Sequence, residues 1–259
     1  MTELKDTPQH PKFKILLIGD NCTDVYQYGT VDRLSPEAPV PVFVPFRSET
    51  KEGMAGNVAS NLEALGCGVT FIGGQVSKKT RLIDLRSKQH VARIDEDVVS
   101  EEINLKNADL SQYDSIVISD YAKGAVTYEL IEDVRSKFSG PIFLDTKKTD
   151  LAAFHGIFVK INELEYQRRV SINDRLIVTL GGKGAMYKTG RDPKHETRFV
   201  APAVEVVDVT GAGDTFLAAV AYKYLETNNI NTAIEFAIRA ASITVEHLGV
   251  YAPALEEIA

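Results

Sequence analysis

Asp208-Val209-Thr210-Gly211-Ala212-Gly213-Asp214-Thr215-Phe216 is the stretch on which the reading of this 259-residue chain turns. A β-branched run, Val204, Val206, Val207 and Val209, leads into it. Phe216, Ala219, Val220 and Tyr224 follow at helical spacing. The glycines therefore mark the place where an extended segment turns into a helix. Such a turn presents N–H groups that have no intrahelical acceptor, together with the positive end of the helix dipole, a setting suited to phosphate. Asp214 puts a carboxylate into the same turn. Beside a bound phosphate that charge is costly, unless it takes the proton of a hydroxyl that attacks the phosphate. Acidic residues are also favoured in first turns by the dipole alone, so Asp214 by itself leaves both readings open.

Two other glycine motifs compete and fit less well. Gly211-Ala212-Gly213 supplies the first half of a dinucleotide fingerprint, but Phe216 stands where the third glycine belongs and no second strand follows. Gly181-Gly182-Lys183-Gly184 contains a Gly-Lys pair without the following Ser/Thr or the upstream glycine of a Walker A loop.

Bulk properties narrow the class. The chain suffices for one sizeable α/β domain, and its 44% hydrophobic and 25% charged content is that of an ordinary globular protein. A net charge of −7 argues against a nucleic-acid-binding surface. Cys22 and Cys67 follow no metal or redox spacing and read as reduced thiols. No His-x-x-x-His pair suggests zinc. With no apolar signal core near Met1 and no apolar run of membrane-spanning length, the expectation is a cytoplasmic protein without membrane partners.

Along the chain, residues 1–12 read as a polar lead-in. Short apolar runs at 14–20, 69–73, 115–120, 141–145, 156–161 and 175–180 have the pattern of buried parallel strands. Helical patterns lie at 57–65, 127–137, 213–226 and 231–248, the last with Asn231 as N-cap and Gly249 as stop. Residues 29–50 differ: Pro36, Pro39 and Pro41 interrupt a β-branched run, which suggests the edge strands of a small flap, with two more short strands at 80–95. The alternation implies a mostly parallel sheet covered on both faces, as one domain over 1–259 with a small β lid. Asp20 or Asp24, Asp120, Asp145 and Asn162 fall at strand exits, where such folds gather ligands.

These motifs resemble the ribokinase-like (PfkB) carbohydrate kinases. The resemblance rests on Asp208-x-Thr-Gly-Ala-Gly-Asp-Thr-Phe216 and runs with gaps from about Lys14 to Gly249. Leu34-Ser35-Pro36-Glu37-Ala38-Pro39-Val40-Pro41-Val42, Gly53-Met54-Ala55-Gly56-Asn57, Ser119-Asp120-Tyr121-Ala122-Lys123-Gly124 and Asp145-Thr146-Lys147 are similar to the group that phosphorylates heptose 7-phosphate at its anomeric oxygen. The resemblance implies a three-layer sandwich and an ATP-dependent sugar kinase with Mg²⁺, and leaves a monovalent cation open. It implies Asp214 as catalytic base, with the amides of Gly211, Ala212 and Gly213 as an anion hole. Asp24, Gly53, Asn57, Asp120 and Lys123 correspond to the sugar side. Lys147, Asn162, Thr179, Gly181, Gly184 and Thr210 correspond to the nucleotide side, and Glu165 to a water-mediated Mg²⁺ contact. A lid that doubles as a dimer interface is implied as well.

The pattern also departs from the family. Only Val76-Ser77-Lys78-Lys79 stands where a few dozen residues are usual, and the helix expected after Glu165 shrinks to residues 166–174. Losing two helices is expected to uncover part of one sheet face, which would favour a homo-oligomer. The competing reading is a trimmed kinase-like protein that binds nucleotide or sugar phosphate without catalysis and serves regulation or assembly.

Overall fold

The computed structural model describes residues 11–106, 108–190 and 195–258, so most of the expected lead-in lies outside the described residues. Its strands are β1 (Lys14–Leu34), β2 (Pro41–Met54), β3 (Gly68–Asp84), β4 (His90–Glu96), β5 (Ser115–Asp120), β6 (Ile142–Thr146), β7 (Phe158–Asn162), β8 (Arg175–Thr179), β9 (Ala185–Thr189) and β10 (Glu196–Phe199). They form a single sheet in the order β10-β9-β8-β7-β6-β5-β1-β3-β4, with β2 joined to β1. Neighbours from β8 through β7, β6, β5 and β1 to β3 run parallel. The strands β2, β4, β9 and β10 pair antiparallel.

Helices cover both faces: α1 (Ala55–Ala64), α2 (Tyr128–Lys137), α3 (Glu163–Arg168), α4 (Ala212–Thr227), α5 (Ile230–Thr244) and α6 (Leu255–Ile258). On one face Ile15, Leu17, Val117, Phe143 and Phe158 pack against Val58 and Leu62 of α1, Phe216 and Leu217 of α4, and Ile234 of α5. On the other, Leu16, Ile18, Ile116, Ile118, Leu144 and Val159 meet Leu130, Ile131 and Val134 of α2. This alternation is the two-residue period of strands buried on both sides. The α2 face also carries Ile103, Leu105 and Leu110, which arrive on an irregular segment.

Several local expectations need correction. The first strand does not stop at Asp20. It passes a register shift between Gly19 and Asn21 and continues into the lid, and β3 does the same beyond Gly73. The missing residues after Gln75 thus leave one continuous strand where two were expected. The N-cap of α5 is Asn229, whose side chain accepts from the N–H groups of Asn231 and Thr232, and the helix closes at Val245, before Gly249. Short β9 and β10 have no counterpart among the expected elements.

The lid consists of the far halves of β1 and β3 with β2 and β4. Tyr26, Tyr28 and Ile83 form a small buried cluster within it. Lys51 Nζ donates to the Val250 carbonyl at 2.9 Å, tying the lid to the loop after α5. No helix among the described residues is long and apolar enough to cross a membrane.

Candidate active site

Along the face that carries α4, the inward positions of the central strands change character at their C-terminal ends. Val117 is followed two residues later by Ser119, Phe143 by Asp145 and Phe158 by Lys160, all buried. Three adjacent parallel strands therefore deliver polar groups to one edge of the core. The N-terminus of α4 lies over that edge. This helix is apolar on nearly every side, with residues from Asp214 to Tyr222 buried, so packing of Phe216 and Leu217 draws the first turn, Asp214 included, inside the protein.

Asp214 is held from two directions. Asn57 Nδ2 donates to its Oδ2 at 2.9 Å and Tyr121 Oη to its Oδ1 at 2.7 Å. Burial pushes the Asp214 carboxyl up to about 6, while the Asn57 and Tyr121 hydrogen bonds pull against that rise. Burial and the neighbouring Asp214 charge push the Tyr121 phenol well above its ordinary value, so it stands as a donor. Tyr121 is placed in turn by Asp20, whose carboxylate accepts from the N–H groups of Tyr121 at 2.7 Å, Lys123 at 3.1 Å and Ala125 at 3.3 Å.

Gly211 caps α4 in the left-handed region (φ 81°), and a Cβ there would stand 2.7 Å from Asn57 Nδ2. The N–H groups of Gly211, Gly213 and Asp214 find no acceptor among the described residues, whereas Ala212 N–H makes a long bond of 3.3 Å to the Val209 carbonyl. Asp208 shapes this turn by accepting from Thr210 N and Oγ1 and from Gly249 N, which fixes the Thr210 side chain outside the cluster.

Beside the carboxylate lie cations. Lys160 Nζ sits 2.6 Å from Asp145 Oδ2. Lys147 pairs with Glu165 and lies 5.1 Å from the Tyr121 ring centroid, with Lys79 at 5.7 Å from the same ring. Burial works against the Lys147 charge, but Asp145 and Glu165 outweigh it, so its ammonium sits above the ordinary value. On the lid side, Asp24 is buried in an ion pair with Arg81 and faces Gly53, where any Cβ would collide with the Asp24 carboxylate. Burial pushes the neighbouring Cys22 thiol up to about 12, so it stays a neutral side chain between Gly53 and Asp24.

A separate apolar cleft opens on the other side of the α4 terminus. Thr179, Gly181, Gly184, Val206 and Phe216 line it together with Ala212 and Gly213. The same two residues thus border both the cleft and the polar cluster. Asn162 and Glu165 form a capping box on α3: Asn162 Oδ1 accepts from Glu165 N at 2.9 Å and Glu165 Oε2 from Asn162 N at 2.8 Å.

The structure brings Asp214, Gly211, Ala212, Gly213 and Asn57 together, with Asp24, Gly53, Lys147 and Glu165 next to them. Asp120 and Lys123 stand apart. The Asp120 carboxylate is taken up by Thr146 Oγ1 at 2.5 Å, Lys148 Nζ at 2.8 Å and Ala122 N at 2.9 Å. Lys123 pairs with Asp97 at 2.6 Å. Sequence reasoning did not single out Tyr121, Lys160, Lys79 or Arg81 as site residues. The signal for Lys160 was a charge inside the apolar run Phe158-Val159-Lys160-Ile161, a position that needs a buried partner.

The pfkB family carbohydrate kinase profile matches residues 75–258. The bifunctional protein HldE of a Nitratiruptor species is 32% identical over 305 aligned positions, covering 95% of this chain and 64% of that protein. An HldE of Helicobacter pylori is 31% identical, with 95% and 66% covered. The chain therefore spans about 64% of the length of the former, and an alignment of 305 positions exceeds its own 259 residues, so the relative carries insertions that are absent here. Among solved structures, Thermotoga maritima ribokinase superposes with a TM-score of 0.69 at 19% identity over 95% of this chain and 98% of the other. Escherichia coli phosphofructokinase-2 gives 0.72 at 16% identity over 96% and 97%. The fold is the ribokinase-like one.

Proposed function

For a chain that belongs to the pfkB family of carbohydrate kinases, we propose transfer of the γ-phosphoryl group of ATP to a hydroxyl of a sugar phosphate, with heptose 7-phosphate and its anomeric oxygen as the acceptor that the subgroup motifs favour. The observation that carries this reading is the Asp214 carboxylate, held by Asn57 and Tyr121 at a helix terminus whose Gly211 and Gly213 N–H groups find no acceptor among the described residues.

Phosphoryl transfer asks for in-line positioning and charge neutralisation more than for covalent work by the protein. The acceptor oxygen forms a bond to the γ-phosphorus as the bond from that phosphorus to the β–γ bridging oxygen breaks, and ADP leaves with the electron pair. Asp214 takes the acceptor proton. A carboxylate titrating near 6 is ionised at neutral pH yet a better proton acceptor than an ordinary one. The free amides at Gly211 and Gly213 stabilise the charge on the transferred group. The apolar cleft along Val206 and Phe216 suits a nucleobase, with Thr179, Gly181 and Gly184 at its wall. Asp24 and Gly53, carried by the lid strands β1 and β2, serve the sugar side in this reading.

The described residues offer no cluster of three metal-ligating side chains. Mg²⁺ requires none, because it keeps several waters and takes one or two carboxylates together with substrate phosphates. Asp145 Oδ1, buried and without a partner among the described residues, fits that demand, and Glu165, whose oxygens are taken by Lys147 and the Asn162 N–H, would reach the ion through water. There the ion would neutralise phosphate charge.

The lid's outer surface leaves Val44 and Phe46 exposed, Phe46 to 79%. A second copy of the chain covering it would give the dimer expected from the sequence. Light scattering on Phe46→Glu tests this: a monomer where the native chain is dimeric supports it, and an unchanged mass contradicts it.

An ADP-release screen over free and phosphorylated six- and seven-carbon sugars tests the kinase reading. Release that requires a sugar phosphate supports it. ATP binding with no release across the panel supports the non-catalytic alternative.

A further inference from the structure

We propose that Tyr121 makes the transfer selective for a sugar hydroxyl over water, as a positioning residue whose phenol occupies the Asp214 oxygen that the acceptor hydroxyl must reach; this rests on the kinase reading above. The two groups that hold Asp214 differ in kind. Asn57 lies buried in α1, and its side-chain and main-chain oxygens both accept from Asn61 Nδ2, at 3.3 and 2.8 Å. It holds Oδ2 from the interior and is itself pinned. Tyr121 is half-buried, on the irregular segment after β5, and holds Oδ1 at 2.7 Å. Lys79 of the lid strand β3 lies 5.7 Å from its ring centroid, so Tyr121 touches the base with its hydroxyl and the lid with its ring. An acceptor seated against the lid therefore meets Oδ1 where the phenol already donates.

The placement of the phenol is maintained against a backbone cost. Ala122, the next residue, sits in the left-handed region at φ 57°, where a side chain is strained. The strain persists because Asp20 takes the N–H groups of Tyr121, Lys123 and Ala125, and Asp120 takes that of Ala122. Asp214 is 4% exposed and has a donor on each oxygen, so an entering hydroxyl engages the base by displacing one of them. Asn57 is anchored, and the phenol is the donor that yields. A hydrogen bond to a carboxylate weighs about 10- to 100-fold in an equilibrium. Water has no other contact with which to offset that loss. A sugar phosphate touches the lid along its length, and binding energy from those remote groups covers the displacement. In transfer the sugar oxygen bonds to the γ-phosphorus as the bond to the bridging oxygen breaks, and Asp214 takes the sugar proton. In the hydrolysis that Tyr121 suppresses, water supplies both the oxygen and the proton, and the products are ADP and inorganic phosphate.

The test uses the full chain and compares two rates with ATP. One is hydrolysis without sugar, read as inorganic phosphate; the other is transfer to the sugar phosphate that the screen selects, read as phosphorylated sugar. In the native chain hydrolysis should run at least about 10²-fold below transfer. Tyr121→Phe keeps the ring and removes the donor. It is expected to raise the ratio of hydrolysis to transfer at least about fivefold, with ATP affinity within about threefold of native. A phenol that only packed, or only kept Asp214 in shape, would lower both rates together and leave their ratio unmoved. A smaller rise in a folded Tyr121→Phe chain overturns the proposal. So does sugar-free hydrolysis by the native chain above about a hundredth of its transfer rate, a result that depends on no variant. A native chain that binds ATP and releases no ADP with any sugar of the panel overturns the kinase reading itself, and this inference with it.

Discussion

The Asn57 side-chain amide donates to Oδ2 of Asp214 at 2.9 Å, joining the first turn of α1 to the first turn of α4 across 157 positions of sequence. The bond favours the charged form of a carboxylate that burial would otherwise keep protonated. A hydrogen bond to a charged group contributes about 1.5–3 kcal/mol, so its loss should raise the carboxyl further by about one unit or more. Asn57→Leu is thus expected to move the acid limb of the pH dependence of kcat/KM upward from near 6, with activity at pH 7 down about two- to fifteenfold and partly restored at pH 8.5. A pH–rate profile checks this; an unmoved limb would show that Asn57 does not tune Asp214.

The same carboxyl makes a claim about stability. It titrates near 6 in the fold, against 3.8 for the unperturbed group. Between those values the folded chain keeps a proton that the unfolded chain has shed. Stability therefore falls as pH rises through that window, and the deficit is complete above it. At about 1.4 kcal/mol per unit, the cost at neutral pH is on the order of 3 kcal/mol. Asp214→Asn should be more stable than the native chain at pH 7.5 and little different at pH 4, as measured by urea unfolding. A variant less stable at pH 7.5 would contradict the assignment of a strained, buried carboxylate.

Gly211 should resist substitution for two reasons that act together. Its φ of 81° lies where side chains are strained, and a Cβ would press on Asn57 Nδ2 at 2.7 Å. Gly211→Ala is expected to lose about 1–3 kcal/mol of stability, and to reduce transfer more than tenfold through the displaced Asn57. Denaturant melts and ADP-release rates on the same preparation separate the two effects.

Arg81 and Asp24 form a buried pair inside the lid sheet, and Arg81 lies 5.2 Å from the Tyr26 ring centroid. Arg81→Met leaves a buried carboxylate unpaired and should cost about 3–5 kcal/mol. Adding Asp24→Asn should recover part of that loss. Equal stabilities for the single and double variants would mean that the pair is solvated in solution.

How much of this was legible in the sequence follows from physical range. The central strands were visible because parallel strands buried on both faces are continuous apolar runs, as in Ser115-Ile116-Val117-Ile118. The turn at Gly211 was visible because glycines, a first-turn acid and a helical stripe are local signals. The passage of β1 and β3 from core into lid was not, because a register shift at Gly19 depends on a partner strand far along the chain. Tyr121 and Lys160 escaped for a related reason. Each matters through a partner on another element, Asp214 for one and Asp145 for the other, and no spacing within a single segment encodes that. Asp120 illustrates the converse: its position at a strand exit suggested ligand contact, while Lys148 and Thr146 already occupy its carboxylate.

The most direct measurement is ADP release by Asp214→Asn, with a sugar phosphate that the native chain accepts and with ATP binding followed on the same sample. The account predicts a rate at least about 10²-fold below native with nucleotide affinity within a few-fold. Turnover equal to the native rate would contradict it.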